Sequence, residues 1–330
     1  MRILILTIMG NMSVPAKKIV ATRPCPISGS KDSVVISSKD RHGKPLRNVM
    51  SVESGLIYVD PVPFENTEEF YKTDYRKSYK GVHSPKPKHV YRAAKIAQQR
   101  LSRLVDLIPL SARCLDAGSS SGEFVYLLNS KGFLAEGVEA NMPYAEYSQA
   151  ELKIPVTISP FSQFQPEQKF DLITMFHVLE HLENPVLDLA HLGQFLNPGG
   201  HFIIEVPNIA YADMAFSHKW HPGHLFSFSA TTLSMLMEKA GFETVSCSPI
   251  GDAGNLWGVF KTSDQKKVLS TRFAKSASVE LSFKKLKKGK ILYHLRFWNY
   301  FKFLSKIFSN IKEKLKTRAK SGREILDEIF

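Results

Sequence analysis

Cysteine is scarce in this sequence. Its 330 residues include three, Cys25, Cys114 and Cys247, which lie far apart. An odd and sparse set argues against a disulfide framework and fits a reducing compartment. Three scattered thiols also make a poor zinc site, because structural zinc takes four nitrogen or sulfur donors. We therefore expect a cytoplasmic protein without disulfides and without a metal.

Long apolar runs are missing as well. No stretch reaches the roughly 18–20 apolar residues that a membrane-spanning helix needs, and no internal repeat of fixed period is present. The opening MRILILTIMGNMS makes a weak signal peptide, because no small-residue cleavage site follows it and the chain turns basic at Lys17. A secretion signal and an extension ahead of Met12 that the fold does not need are the two interpretations.

Most of the chain has no excess of positive charge. Residues 266–330 carry 18 Lys and Arg against 5 Asp and Glu, whereas the first 265 residues carry 26 of each sign. The whole net charge of +13 therefore lies in the tail. Because the body has no basic surplus to offer phosphate groups, its composition disfavours nucleic acid as a partner.

The composition changes along the chain and predicts four segments. Short strands such as GLIYVDP, separated by turns, predict a small β-rich module within residues 1–65. The polar, tyrosine-rich residues 66–87 predict a linker or lid. Strands and helices alternate over residues 88–262, and residues 263–330 form a basic tail with helical spacing.

The alternation of strands and helices predicts the fold class. Strands such as ARCLDAG and FDLITMFHV alternate with helices of about 10–15 residues, which is typical of an α/β doubly wound, mostly parallel sheet. The last two strands, ETVSCSPI and NLWGVFKT, have no helix between them. We therefore expect them to form an antiparallel hairpin at one edge.

The stretch CLDAGSSSG forms the first strand of this region, its turn and the start of the next helix. Gly118 and Gly122 let a ligand approach the backbone, and the helix N-terminus offers free N–H groups. The next strand ends in Glu139, where an acid can accept both hydroxyls of a ribose. Ser120 replaces the middle glycine of a dinucleotide motif, and Asp116 suits a ligand with a cationic amino group.

Four motifs resemble those of class I S-adenosylmethionine-dependent methyltransferases. CLDAGSSSG is similar to their D-x-G-x-G-x-G turn, and GVEAN contains their ribose-binding acid. FDLITMFHVLEHLENP is similar to their fourth-strand motif, and LNPGGHFIIEVPN to their fifth. The resemblance covers roughly residues 88–262. It implies a Rossmann-like, seven-stranded sheet and S-adenosylmethionine as the cofactor.

The resemblance also implies which part of the cofactor each motif contacts. The glycine-rich turn follows the methionine end, Glu139 takes the ribose hydroxyls, and Ala140 and Asn141 lie beside the adenine. Phe176 and His177 line the floor near the sulfonium. The residues that the resemblance places at the cofactor are Asp116, Gly118, Ser120, Gly122, Glu139, Ala140, Asn141, Phe176 and His177.

A second resemblance lies near the start of the chain. The sequence CPISG is similar to the C-P-x-C-G zinc-binding knuckle of some sugar and polysaccharide methyltransferases, but Ser28 stands in place of the second cysteine. Only Cys25 and His42 are nearby donors. We interpret the module as a metal-free relic that keeps its shape as a lid over the active-site edge. A chance Cys-Pro pair is the alternative.

Histidines cluster in KWHPGHLFSFS, which follows the fifth strand, where such enzymes carry the acceptor site. The segment resembles a loop of the sugar-modifying members in which a histidine acts as general base, and imidazole suits deprotonation of a hydroxyl near neutral pH. His224 and His221 are the catalytic candidates, with His177 on the opposite wall. The alternative is that they cap a helix and pack. We expect His181 and His191 on a helix surface or in the core.

The basic tail contains an apolar stripe. In ILYHLRFWNYFKFLSKIFSNIKEKLK, residues 291–316, aromatic and aliphatic side chains recur at helical spacing with lysines around them. Such a helix suits an anionic membrane surface, which would place the protein at the inner face of the membrane. Packing on the body, contact within a homodimer and RNA binding are the alternatives.

These features favour an enzyme that transfers methyl groups from S-adenosylmethionine. The predicted acceptor is a hydroxyl of a small molecule or glycan, specifically a sugar or polysaccharide intermediate of the cell envelope. The reaction asks the protein mainly to align the acceptor with an activated methyl group. A methyltransferase of a lipid or quinone precursor is one alternative, and a protein that binds the cofactor without turnover is another.

Overall fold

The computed structural model describes two β-sheets, their flanking helices and a short C-terminal segment. Several sequence predictions lie outside the described residues: the N-terminal extension, most of the lid and the tail helix as far as residue 308. No helix within the described part is both long and apolar enough to cross a membrane. The described residues are 18–63, 85–211, 214–251, 254–263, 309–310 and 312–330.

Four short strands come first in the chain and pair antiparallel in chain order. The strand predicted from GLIYVDP is confirmed as the fourth of these. The four strands are β1 (Lys18–Val20), β2 (Asp32–Lys39), β3 (Pro45–Ser51) and β4 (Ile57–Val59).

Alternating helices and strands follow. Most of the central strands are rich in apolar residues, and the helices between them begin at Pro, Glu, Met or Ala. The elements are α1 (Pro87–Leu104), β5 (Arg113–Ala117), α2 (Glu123–Ser130), β6 (Leu134–Glu139), α3 (Met142–Tyr147), β7 (Val156–Ile158), β8 (Phe170–Phe176), α4 (Pro185–Gly193), β9 (Leu196–Pro207), β10 (Phe226–Ser227), α5 (Ala230–Lys239), β11 (Phe242–Ile250) and β12 (Asn255–Thr262).

The larger sheet has seven strands in the order β11-β12-β9-β8-β5-β6-β7. The five strands from β9 to β7 are parallel, whereas β11 and β12 form an antiparallel hairpin on β9. The predicted α/β doubly wound, mostly parallel sheet with an antiparallel edge is therefore confirmed. The chain order reverses between β5 and β8, and ligands bind at the carboxyl ends of strands at such a point.

Alternate residues of the central strands pack on opposite faces of the sheet. On β5, Cys114 joins one apolar cluster and Leu115 the other, and Leu172 and Ile173 on β8 divide in the same way. Both faces are covered, which explains why these strands are nearly continuous apolar runs. This packing fixes the strand ends from which the candidate site is built.

Strand β10 joins the N-terminal module to the body. It pairs antiparallel with β4 and completes a five-stranded sheet of order β1-β2-β3-β4-β10. The backbone N–H of Arg41 donates to the carbonyl of Trp220 at 2.9 Å, and that of Val59 donates to the carbonyl of Leu225 at 2.9 Å. The module therefore holds the loop that carries the histidines predicted to be catalytic.

Two similar turns face each other in the N-terminal module. In the first, CPISG, the N–H of Gly29 donates to the carbonyl of Cys25 at 2.8 Å. In the second, SVESG, the N–H at residue 55 donates to the carbonyl of Ser51 at 3.0 Å. The side chains meet in two pairs, with Cys25 Sγ 3.2 Å from Ser54 Oγ and Ser28 Oγ 3.4 Å from Ser51 Oγ. The sequence pattern did not predict the second turn.

The described end of the tail packs on the body. Helix α6 (Gly322–Ile329) starts with a capping box and buries Ile325 and Leu326 in the cluster that contains the inner face of α1. Arg92 on α1 forms an ion pair with Glu313. This last part of the tail therefore packs on the body of the protein. For residues 291–308, binding to a membrane, to a second copy of the chain or to RNA stays a prediction.

Replacing Leu326 with Ala is expected to lower the free energy of unfolding by about 2–5 kcal/mol, because truncation of a fully buried leucine leaves a cavity. Leu315 is the matched control, since its side chain is 66% exposed and Leu315→Ala should change stability by no more than about 0.5 kcal/mol. Urea unfolding followed by circular dichroism measures both variants. Equal effects of the two substitutions would contradict the docking of α6.

Candidate active site

A cavity of about 740 Å³ opens where β5, β6 and β8 end. Asp116, Glu139 and Phe176, at or beside the ends of these strands, line one side of it. His221 and His224 from the loop after β9 line another side. The volume is in the range of sites for small molecules and cofactors. The structure thus brings all of the predicted cofactor residues except Gly122, together with the predicted catalytic loop, to one cavity.

The carboxylate of Glu139 is held by two backbone N–H groups. The N–H of Ser120 donates to its Oε2 at 2.8 Å, and the N–H of Asn141 donates to its Oε1 at 2.8 Å. Each carboxylate oxygen can accept further hydrogen bonds. The side chain is therefore fixed in one orientation and retains acceptor capacity toward the cavity, as recognition of a ribose diol requires.

Asp116 is a buried carboxyl at the end of β5. It is 5% exposed and accepts a hydrogen bond from Thr174 Oγ1 at 2.7 Å. Burial raises the pKa of Asp116 to about 6, and nearby Glu139 adds to the rise, whereas the bond from Thr174 and the charge of Arg100 oppose it. A cationic ligand group in the cavity would favour the ionised form.

The two glycines of the turn have different surroundings. Both have a φ of +81°, but a Cβ on Gly118 would lie 2.4 Å from Val178 Cγ2, and one on Gly122 would lie 2.4 Å from Ile154 Cδ1. Gly118 lines the cavity and Gly122 does not, so the interpretation that both glycines admit the ligand is corrected for Gly122. Ser120 has a φ of +52°, which explains why its family position favours glycine.

Aromatic side chains form the floor and one rim of the cavity. Phe176 stacks on Trp257 with ring centroids 5.7 Å apart, and the Arg100 guanidinium lies over the Phe176 ring at 4.1 Å from its centroid. Phe161 lines the cavity as well. Phe176, Arg100 and Phe161 thus all line the cavity to which the resemblance assigns the cofactor.

His177 lies between two carboxylates. Its Nδ1 is 3.4 Å from Glu180 Oε1, its Nε2 is 3.4 Å from Glu205 Oε1, and its φ is +56°. Burial lowers the pKa of His177, but the close carboxylates of Glu180 and Glu205 outweigh this and raise it to about 9. An imidazolium has no lone pair to accept a proton. The geometry therefore disfavours the base role that the sequence predicted for His177.

His221 and His224 are stacked within the cavity wall. Their ring centroids are 4.4 Å apart, and the N–H of Gly223 donates to His221 Nδ1 at 2.9 Å. Burial lowers the pKa of His221 to about 4 and the pKa of His224 well below its usual value. Because the Nδ1 lone pair of His221 is engaged, His224 is the better placed of the two to accept a proton.

His181 was expected on a helix surface or in the core, and this expectation is wrong. It lines the cavity, its ring meets that of His224 edge-on at 4.9 Å, and its Nδ1 lies 2.6 Å from the carbonyl of Gly223. His191 is different, since its Nε2 lies 2.9 Å from the carbonyl of Phe164, away from the cavity.

Sequence reasoning missed Glu180. This residue lines the cavity, although only 1% of it is exposed, and its carboxylate faces three histidines. The only local signal was the Glu-His pair just after an apolar strand. Its significance depends on Gly223 and His224, which approach from a loop more than 40 residues farther along the chain.

Comparison with protein families identifies the domain to which this site belongs. Residues 89–247 match the family model described as a methyltransferase domain. The chain contains a methyltransferase domain. S-adenosylmethionine is the cofactor of this domain, and its Rossmann-like fold brings the strand ends described above to the cavity.

Curated relatives match less than half of this chain. The chain is 27% identical over 158 residues to the tRNA U34 carboxymethyltransferase of Hydrogenovibrio crunogenus, covering 41% of this chain and 46% of that protein. It is 31% identical over 94 residues to the ubiquinone biosynthesis O-methyltransferase of Paramagnetospirillum magneticum, covering 27% and 38%. The chain spans less than half the length of the curated relatives it matches.

Solved structures resemble the methyltransferase domain at low identity. The magnesium protoporphyrin IX methyltransferase from Synechocystis PCC 6803 is 14% identical with a TM-score of 0.46, over 59% of this chain and 98% of that one. A glycopeptide N-methyltransferase in complex with S-adenosylmethionine is 12% identical with a TM-score of 0.43, over 52% and 94%.

The affinity of the methyltransferase domain for S-adenosylmethionine is expected to fall as the pH is lowered through about 6, the pKa of Asp116. Above this pH the carboxylate attracts the cationic amino end of the cofactor, which the resemblance places beside it. Below it the carboxyl is neutral and the attraction is lost. Arg100 and Glu139 also face Asp116, and they modify the midpoint without reversing this direction.

Calorimetric titrations from about pH 5 to pH 8 measure this dependence. Asp116→Asn is the control, because its amide keeps the shape without the charge. It should bind weakly and equally throughout the range. The same pH profile in Asp116→Asn as in the unmodified protein would show that another group titrates.

Proposed function

We propose that this chain transfers a methyl group from S-adenosylmethionine to a hydroxyl of a sugar or polysaccharide intermediate. The observation that carries the proposal is the position of the histidine loop. His221 and His224 line the same cavity as Asp116 and Glu139, so an acceptor held by the loop lies beside the cofactor crevice.

Each part of the cavity has a separate task in the proposed reaction. Glu139 orients the ribose, Asp116 attracts the amino end, and Phe176 covers the sulfonium side. S-adenosylmethionine supplies a methyl group that is already activated by the sulfonium. The acceptor hydroxyl gives its proton to the histidines of the loop, among which His224 is favoured by the sequence, as the bond from its oxygen to the methyl carbon forms and the bond from that carbon to sulfur breaks.

The N-terminal module supports the proposal structurally. It pairs with the histidine loop through β10, and the side chain of Arg41 from its β2–β3 turn lines the cavity. A module that both anchors the acceptor loop and reaches the cavity would contribute to acceptor choice. This arrangement supports a small polar acceptor such as a sugar, which needs several hydrogen-bonding contacts for recognition.

One observation favours a second candidate acceptor. The 31% identity to a ubiquinone biosynthesis O-methyltransferase over 94 residues supports a phenolic quinone precursor. A phenol also presents a hydroxyl, so the same side chains would serve. The two acceptor classes therefore share the reacting hydroxyl and differ in the rest of the molecule, which would contact the histidine loop and the N-terminal module. A transfer assay with both kinds of acceptor distinguishes them.

The test supplies radiolabelled S-adenosylmethionine with cell-envelope glycan intermediates in one reaction and phenolic quinone precursors in another. The proposal expects label in a glycan product whose mass has increased by one methylene, and no transfer with His224→Ala. Label in the phenol alone would establish the alternative. Cofactor binding without transfer to any hydroxyl would instead support a protein that has lost turnover.

A further inference from the structure

Three potential metal ligands converge in the wall of the cavity. A carboxylate oxygen of Glu180 and one ring nitrogen each from His181 and His224 all lie within 4.8 Å of one another. Two of these residues follow β8, and the third comes from the loop after β9. The fold, rather than sequence proximity, assembles this group, which we call the Glu-His-His cluster.

The carboxylate of Glu180 is buried without the hydrogen bonds that such a group requires. It is 1% exposed, and within the described part of the chain neither of its oxygens has a hydrogen bond of acceptable geometry. Its nearest cationic neighbour is His177 Nδ1 at 3.4 Å, and His181 Nε2 lies at 3.9 Å. Burying a carboxylate in this way is costly unless a cation compensates it. His177 has Glu205 as a second partner, which leaves Glu180 able to bind another cation.

The histidine rings are oriented as metal ligands are. The Nδ1 of His181 lies 2.6 Å from the carbonyl of Gly223, to which it can only donate, so the neutral ring carries its lone pair on the Nε2 that lies 3.9 Å from Glu180 Oε1. Ligating histidines characteristically donate their other ring N–H to a carbonyl or carboxylate in this way. The ring of His224 is fixed between His221 and His181.

We infer that Glu180, His181 and His224 bind one divalent transition-metal ion, with its remaining coordination positions open to the cavity. Two histidines and one carboxylate are a ligand set that suits zinc and similar ions and leaves room for an external ligand. Ligand atoms bound at about 2.1 Å cannot be more than about 4.2 Å apart. Small side-chain movements would therefore complete the site.

The ion would act on the acceptor, and this role rests on the proposed function. A hydroxyl bound at an open position becomes more acidic and is held in a fixed direction. His224 would then serve as a ligand, and the acidified hydroxyl would no longer depend on direct proton transfer to this side chain. The alternative is that the cluster only ties the loop after β9 to the end of β8.

The test uses the full chain after treatment with a chelator. Titration with Co²⁺ alone, followed by visible absorption, and calorimetry with Zn²⁺ should each show one ion per chain. Glu180→Gln, His181→Ala and His224→Ala should each weaken binding by at least about 100-fold. His191→Ala is the matched control and should bind as the unmodified protein does. Absence of stoichiometric binding, or equal affinity in all variants, would overturn the inference.

Two further measurements separate the outcomes. Circular dichroism identifies a variant that fails to fold, and His224→Gln provides a substitution closer in size. Titration with S-adenosylmethionine in the same samples tests the cofactor site independently. Cofactor binding without metal binding would reject the metal site and leave the proposed methyl transfer intact, whereas metal binding without methyl transfer would reject the proposed function alone.

Discussion

Replacing Glu139 with Gln is expected to weaken the binding of S-adenosylmethionine about 100-fold. One of the two ribose hydroxyls would lose a charge-assisted hydrogen bond, which contributes roughly 1.5–3 kcal/mol. The amide would also place an NH₂ group against the N–H of Ser120 or Asn141, each of which now donates to a carboxylate oxygen. Loss of one such bond, together with rearrangement of the turn, accounts for about 2.7 kcal/mol, or two decades of affinity.

Calorimetry measures the change directly, and Glu136→Gln is the matched control. Glu136 belongs to the same strand, β6, but does not line the cavity. The control should bind the cofactor with unchanged affinity. If Glu139→Gln bound as tightly as Glu136→Gln, the strand-end carboxylate would not hold the ribose, and the position of the cofactor in this cavity would have to be abandoned.

The fold of the large sheet could be predicted because its determinants are local. The central strands β5, β8 and β9 are rich in apolar residues, and each helix between the strands has its own start and end. A parallel sheet is the arrangement that buries both faces of such strands. The absence of a helix between β11 and β12 likewise determined their antiparallel pairing.

Contacts between distant segments could not be predicted in the same way. Strand β10 has two residues, Phe226 and Ser227, and it joins a sheet whose other strands end before residue 60. No pattern in so short a segment indicates its partner. The docking of α6 on α1 is similar, because its two buried side chains are a weak signal without the surface that receives them.

Some residues of the candidate site could be predicted from the fold class, and others could not. Asp116, Glu139 and Phe176 are at or beside the carboxyl ends of neighbouring parallel strands, which meet at one edge, so their convergence followed from the fold class. Glu180 and His181 belong to a single turn of 3₁₀ helix, and their convergence with His224 depends on the hydrogen bond to Gly223. The sequence contained these residues without a spacing that indicated their proximity.

The N-terminal module leads to the second large prediction. The triple variant Ser28→Cys, Ser51→Cys, Ser54→Cys is expected to bind one zinc ion at a site that the unmodified protein lacks. With Cys25 it would have four thiolates in two turns of the same C-x-x-C-G form, and the present side chains already meet at 3.2 and 3.4 Å. Thiolates on one zinc ion are about 3.8 Å apart, so little rearrangement is needed. Structural zinc sites of this kind have apparent binding free energies of about 10–16 kcal/mol.

The readout must distinguish this site from the Glu-His-His cluster. Thiolate ligands give Co²⁺ an intense charge-transfer absorption in the near ultraviolet that histidine and carboxylate ligands do not give. The triple variant should show this band and unfold at a higher temperature with metal than without. Ser51→Cys alone is the control, because two thiols leave the tetrahedral ligand set incomplete. If the folded triple variant binds Co²⁺ without the thiolate band, the two turns do not have the geometry of a zinc knuckle, and the resemblance of CPISG to such a knuckle is a coincidence of two residues.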